Sequence, residues 1–214
     1  MALRAQVWLL VLGFAAAQTT NEAFQCERNI GFPKAVCFTQ KCADAINGHI
    51  KHELDAAFKY MYMGAKFAQF TEDRPGIAHF LMEAAAEERG HAIQMMDYLN
   101  MRGIKLTPSF TYVFPFDSQL TQEIQNMTYR SALEEAINME IQVTNLIYNV
   151  VSECVQDYHA ADLFTSSILG EQHEGVRKLQ GALKAYDDLS LNYIGEGAEL
   201  AEYIFDRKIM SEKL

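Results

Sequence analysis

Proline is scarce in this chain. Its 214 residues hold four, at Pro33, Pro75, Pro108 and Pro115, and none follows Pro115. Because proline breaks helix interiors, the whole C-terminal half is free to be helical. Basic surplus is missing as well: 18 Lys and Arg stand against 28 Asp and Glu, a net charge of −10. Without a basic stripe, nucleic acid is excluded as a partner. The acidic surplus suits plain solubility or the drawing in of cations, and composition alone does not separate the two. Past the first residues no apolar run is long enough to span a bilayer, so no membrane partner is expected. The four cysteines form no Cys-x-x-Cys pair and have no suitably spaced His, which excludes a structural zinc site. What is there in quantity is apolar: half of all residues. Length and composition together suit one helical domain of moderate size with extensions.

The N-terminus reads as an export signal, residues 1–17. Arg4 gives a positive start, Val7 to Phe14 an apolar run, and Ala15-Ala16-Ala17 a small-residue cleavage site. Secretion through the ER and Golgi to extracellular fluid follows as the expected localisation. Export also changes how the cysteines read. Cys26, Cys37, Cys42 and Cys154 are then candidates for disulfides, within or between subunits, with connectivity open. Asn126-Met127-Thr128 becomes a candidate N-glycosylation site for the same reason.

Four long helices are predicted. The first, about Lys41 to Thr71, has the stripe Ile46, Ile50, Glu53, Ala57, Tyr60, Gly64. Thr71 to Gly76 breaks it, and Pro75 suits the first turn of the next helix. The second ends near Gly103 and shows Ile77, Leu81, Ala84, Glu88, His91, Met95, Tyr98 on one face. Glu88 and His91 are three apart, so they project together. Residues from about Ile104 to Thr128 are aperiodic. A connection that long needs a reason, and a crossover back along the bundle supplies one, making the second and third helices parallel. The third helix, about Tyr129 to Asp157, gives Leu133, Ala136, Glu140, Val143, Ile147, Val150, Cys154. The fourth, about His159 to Asp188, gives Ile168, Gln172, Gly175, Leu179, Ala182, Tyr186. A short helix from about Ala198 to Lys208 follows.

Each core stripe is interrupted by polar residues, and the interruptions match in height. At about 1.5 Å per residue, Glu53, Glu88 and His91 all lie roughly 20–25 Å from the first turn. Glu140 and Gln172 lie as far from the turn near Asp157. With the two hairpins turning at opposite ends, three carboxylates, an imidazole and a carboxamide meet mid-bundle. Buried carboxylates so close would repel and be partly neutralised. A bound divalent metal removes that cost, and an oxygen-rich set with one His suits iron or manganese.

These residues resemble ferritin, in particular the heavy-type, ferroxidase-bearing subunit of the family's exported branch. The likeness rests on Glu53 with Tyr60, Glu87-Glu88-Arg89-x-His91, Glu140, Glu171-Gln172 and the tail Leu200 to Asp206. It spans about residues 42–208, the ferritin-like domain, leaving an N-terminal extension at 18–41 and a tail at 209–214. Ferritin-like proteins are themselves the standing example of carboxylates in a bundle core. The resemblance implies an all-α, ferritin-like four-helix bundle with a long crossover between helices two and three and a short fifth helix. It implies two irons per site: Glu53 and His91 bind one, Glu88 bridges, and Glu140 with Gln172 serves the second. Tyr60 would stand beside the first iron, hydrogen-bonding or supplying an electron; spacing alone equally allows a core aromatic. The implied activity is oxidation of Fe(II) to Fe(III) by dioxygen or peroxide, with deposition as a ferric mineral core inside a 24-subunit cage. That cage could be homo-oligomeric or shared with a light-type ferritin chain.

The chain also departs from the family. Glu87 keeps one cavity-facing acidic position, but Gly90 and Ile93 replace others, which weakens mineral nucleation. At the threefold pore Asp162 matches, while Thr165 stands where a second carboxylate is expected. Two other functions compete: a non-catalytic structural or iron-binding ferritin subunit, and a di-iron oxygenase. The intact ligand set argues against the first, and the missing second Glu-x-x-His against the other. Glu134-Glu135 reads as a solvated face. His49, His52, His79, His159 and His173 gain no partner from spacing.

Overall fold

A computed structural model describes residues 38–104, 117–191, 193 and 197–212. Cys26, Cys37, the export signal and Pro108 to Phe116 lie outside the described residues. The chain is all-helical: α1 Gln40–Phe67, α2 Pro75–Met101, α3 Ser118–Gln125, α4 Tyr129–Glu153, α5 Tyr158–Leu163, α6 Leu169–Ser190 and α7 Gly197–Glu212. No described helix is long and apolar enough to cross a membrane.

Local chemistry sets the helix ends. The Thr39 side chain accepts from the Cys42 amide, and Thr128 with Ser131 forms a capping box at α4. Pro75 starts α2, as its fixed φ allows. Gly103 follows α2 at φ 77°, the left-handed conformation that closes helices. The reach of α1 and α4 is shorter than the apolar pattern suggests, because capping turns at Ala68 and Cys154 end them.

Cross-helix partners give the register. Gly64 meets Ala78 and Met82 near the first turn, while Glu53 meets His91 farther along, so α1 and α2 are antiparallel. Cys42 bonds Cys154 while Tyr60 reaches Ala136, which makes α1 and α4 antiparallel too. It follows that α2 and α4 run parallel, as the crossover requires. Arg130 pairs with Asp187, and Thr144 lies beside Gln172, setting α6 antiparallel to α4. Side chains at zero or near-zero exposure, Ile46, Ile50, Leu81, Met95, Leu133 and Ile147 among them, fill the interior between these four helices.

Four further findings differ from the sequence expectation. Inside the supposed aperiodic connection, Asp117 caps an eight-residue helix, α3, that seats Ile124 in the core. The fourth long helix is interrupted by a π-helical turn at Phe164–Ile168, which separates α5 from α6. The tail helix extends to Glu212, past the expected end at Lys208. Glu134 and Glu135 are only half exposed and pair with Arg130 and Lys59.

The tail helix docks through one carboxylate. Asp206, 1% exposed, accepts from the Gly76 and Ile77 amides at 2.9 and 2.8 Å and from the Tyr129 hydroxyl at 3.2 Å. Arg74, in the N-cap position of α2, provides no side-chain cap, so Asp206 satisfies orphan donors there from a distant part of the chain. The approach is so close that only glycine fits: a Cβ at residue 76 would stand 2.0 Å from the Asp206 carbonyl oxygen.

Candidate metal centre

Glu53 is fully buried on α1, at zero exposure like its neighbours Ile46 and Ile50. From α2, Glu88 and His91 meet it at 2% and 8% exposure. One ligand-type atom from each of these three side chains lies within 4.8 Å of the other two. His91 Nδ1 stands 3.4 Å from Glu88 Oε2 and 3.6 Å from Glu53 Oε2. Its other nitrogen, Nε2, is 3.1 Å from Glu171 Oε2. With Nε2–H donating to Glu171 and Nδ1 deprotonated, the Nδ1 lone pair would face the carboxylates, the arrangement that orients metal-binding imidazoles.

α4 and α6 complete the level. Glu140, 8% exposed, accepts a 2.6 Å hydrogen bond from the Tyr60 hydroxyl. The same hydroxyl also approaches the Ala136 carbonyl at 3.2 Å. Tyr60 therefore orients Glu140, the carboxylate expected at the second iron. Gln172 is buried, its Oε1 3.3 Å from the Thr144 hydroxyl, which donates to the Glu140 carbonyl at 2.7 Å. A Cβ at Gly175 would meet only Glu140 Oε2, at 3.9 Å, so space stays open on that side.

The electrostatics are those of gathered anions. Burial pushes Glu88 up to about 8, and the neighbouring Glu53 adds to the rise. Burial and the charge on Glu88 raise Glu140 to about 7. Burial opposes a charged His91, but contacts with Glu53, Glu88 and Glu171 outweigh it and raise its pKa. Tyr60 is pushed well above its ordinary value by burial and by Glu140, so its proton stays on oxygen. Both Glu53 oxygens are buried without a hydrogen-bond partner among the described residues. Orphaned buried oxygens are costly in a hydrophobic interior. A divalent cation between Glu53, Glu88 and His91 would satisfy Oε2, the oxygen turned toward His91.

Spacing missed one member of this neighbourhood. His49, 2% exposed, places Nε2 at 2.9 Å from Glu53 Oε1. Burial lowers it to about 4, leaving a neutral imidazole. It lies four residues before Glu53, the same-face interval of a helix, and that was the available signal. Of the other histidines, exposed His52 lies with its ring 6.4 Å from that of His49, His79 pairs with exposed Glu83, His173 lies 3.5 Å from the Tyr148 hydroxyl, and His159 packs on Tyr98.

Cys42 and Cys154 form a disulfide with Cα atoms 4.7 Å apart, tying the start of α1 to the end of α4. Asn126 is exposed at the end of α3. Asp162 and Thr165 are exposed about one turn apart on α5 and the π turn, away from the buried group. Glu87, Gly90 and Ile93 are exposed on the far face of α2.

A family model described as the ferritin-like domain matches residues 43–189. The "Ferritin heavy chain" of Trichoplusia ni is 32% identical over 211 residues, covering 95% of this chain and 97% of its own length. That of Papilio xuthus is 32% identical over 195 residues, 88% of this chain and 89% of the relative. Among solved structures, Trichoplusia ni secreted ferritin superposes with a TM-score of 0.74 at 32% identity, covering 89% of this chain and all of that one. A helical bundle with three carboxylates, a carboxamide and an imidazole at one buried level thus agrees with independent likeness along nearly the whole length, and the chain belongs to the ferritin family.

Proposed function

We propose that this chain is the iron-oxidising subunit of a secreted ferritin cage. The observation that carries this reading is the buried convergence of Glu53, Glu88 and His91, with Glu140 held beside them by Tyr60. Iron is the substrate. Glu53 and His91 hold one Fe(II), Glu88 faces both Glu53 and Glu140 and bridges, and Glu140 with Gln172 receives the second. Each Fe(II) gives up one electron. Dioxygen accepts the pair with two protons and leaves as hydrogen peroxide, or peroxide accepts them and leaves as water. The protons on Glu88 and His91 are displaced as iron binds, because charged ligands and a cation replace charged ligands and protons.

Product release fits the donor asymmetry. Gln172 is uncharged and its partner position is Gly175, so the second iron has fewer anionic ligands and leaves for the ferric mineral more easily. Exposed Gly90 and Ile93 give this subunit a poor nucleating surface. A light-type partner chain in a 24-subunit shell supplies that function in this reading. The Cys42–Cys154 disulfide and the secreted relative support export, and exposed Asn126 is then open to glycosylation.

The test is stopped-flow mixing of anaerobic Fe(II) and the assembled protein with oxygen. Fast oxidation in wild type, lost when Glu88→Ala is combined with His91→Ala, is expected. An unchanged rate in that double variant would reject the proposal.

A further inference from the structure

His49 has both ring nitrogens buried without a hydrogen-bond partner among the described residues. Its Nε2 is only 2.9 Å from Glu53 Oε1, yet the two are not aligned for a hydrogen bond. Close polar atoms that face past each other are what ligands of one cation look like. Two donors bound at about 2.1 Å and at a right angle stand about 3 Å apart. The other Glu53 oxygen, Oε2, is turned toward His91. Glu53 thus presents one oxygen to each of two imidazoles.

The two imidazoles do not share a single position. His49 is outside the group of Glu53, Glu88 and His91 whose ligand atoms lie within 4.8 Å of one another. Instead it lines an open recess of about 160 Å³ between α1 and α4, bordered by Asp44, His52, Asn149 and Glu153. Acidic and imidazole side chains at its border, an unpartnered buried imidazole in its wall and an unpartnered carboxylate oxygen beyond that describe a path for a divalent cation.

We propose that His49 Nε2 and Glu53 Oε1 form a separate ferrous-iron position, filled from the α1–α4 recess, from which iron moves across Glu53 to Glu88 and His91. The proposal rests on the iron-oxidising reading above and adds a donor and a direction of approach to it. No electron moves in this step; iron exchanges water for ligands and then one Glu53 oxygen for the other.

Crystals of the assembled mature protein soaked anaerobically in Fe(II) test this directly. Anomalous density within about 2.4 Å of His49 Nε2, a metal–nitrogen bond length, is expected in addition to density at Glu88 and His91. In solution, His49→Leu should raise the Fe(II) concentration for half-maximal oxidation about tenfold, the scale for a lost metal-supporting residue. Iron at Glu88 and His91 with none near His49, or an unchanged half-saturation in His49→Leu, overturns the proposal and leaves the iron-oxidising reading standing. Absence of iron from both positions overturns both. The wild-type crystals decide between these outcomes even if His49→Leu fails to assemble.

Discussion

Replacing Glu88 by glutamine should strengthen the iron-free protein while removing its response to iron. The side chain keeps its volume and loses its charge. In the wild type, burial and Glu53 raise Glu88 from an ordinary 4.5 to about 8. A group whose folded pKa is raised contributes its stability below the unfolded pKa and loses it as pH rises through the folded one. The wild type therefore gives up stability between about pH 4.5 and 8 that glutamine never had to give up. At pH 7, with 1.36 kcal/mol per pKa unit, the difference is at most about 3 kcal/mol. For a chain of this size that is about 6–12 °C in melting temperature. Calorimetry of iron-free protein at pH 5, 7 and 9 should show the variant gaining on the wild type as pH rises. Anaerobic Fe(II) should raise the wild-type melting temperature and leave the variant nearly unmoved. A variant no more stable at pH 9 than at pH 5 relative to wild type, with equal stabilisation of both by Fe(II), would refute the idea that a cation balances this carboxylate.

Three other outcomes are expected from the fold. Removing the 112-residue cross-link with Cys42→Ala and Cys154→Ala should cost roughly 2–5 kcal/mol by denaturant unfolding; a change below about 0.5 kcal/mol would contradict it. Asp157→Ala breaks a paired contact with Arg102, 3.1 and 2.6 Å, and the Ala160 cap, which should cost about 3–5 kcal/mol. Burial opposes ionised Asp157, but Arg102 and the Ala160 amide outweigh it and hold it below 3.8. The stability it adds is thus present above that pH and lost below, so the variant's acid-unfolding limb should be shallower than wild type's. Gly76→Ala forces a Cβ against the Asp206 carbonyl and should cost about 1–3 kcal/mol or more, with limited proteolysis releasing α7 first.

The buried group was legible because charge on an apolar stripe is anomalous one helix at a time. Glu53, Glu88 and Glu140 stand out against Ile, Leu and Ala at fixed spacing, and a rise of 1.5 Å per residue turns spacing into height. The parallel course of α2 and α4 followed from crossover length in the same way. What spacing could not deliver were contacts decided by tertiary closeness. Asp206 caps α2 from 130 residues away, and nothing local marks it. The π turn escaped because Phe164, Ile168 and Leu169 are all apolar, so an extra residue in the turn leaves the composition unchanged while moving the face. Helix α3 has only Leu120 and Ile124 on its buried side, too few for a period. His49 escaped for a different reason. An imidazole on an apolar stripe is usually a satisfied core residue, and only coordinates reveal that its nitrogens lack partners.

The π turn bears on why the two halves of the site differ. An inserted residue shifts the helix face by about 100°, so α5 and α6 do not share one continuous stripe. Asp162 and Thr165 point to solvent before and within the turn, whereas after it Gln172 and Leu179 are buried. Resetting the phase there lets a single chain segment place exposed residues at one end and Gln172 beside Glu140 farther along. The position one turn beyond Gln172 is Gly175, so α6 brings no imidazole to match His91 on α2. The symmetry of two Glu-x-x-His helices, which holds a permanent di-iron cofactor, is therefore broken on the α6 side alone. A site that keeps metal would gain from repairing it. On the proposed reading, a site that passes oxidised iron onward gains from leaving it open, while Tyr60 hydrogen-bonds Glu140 and fixes its position.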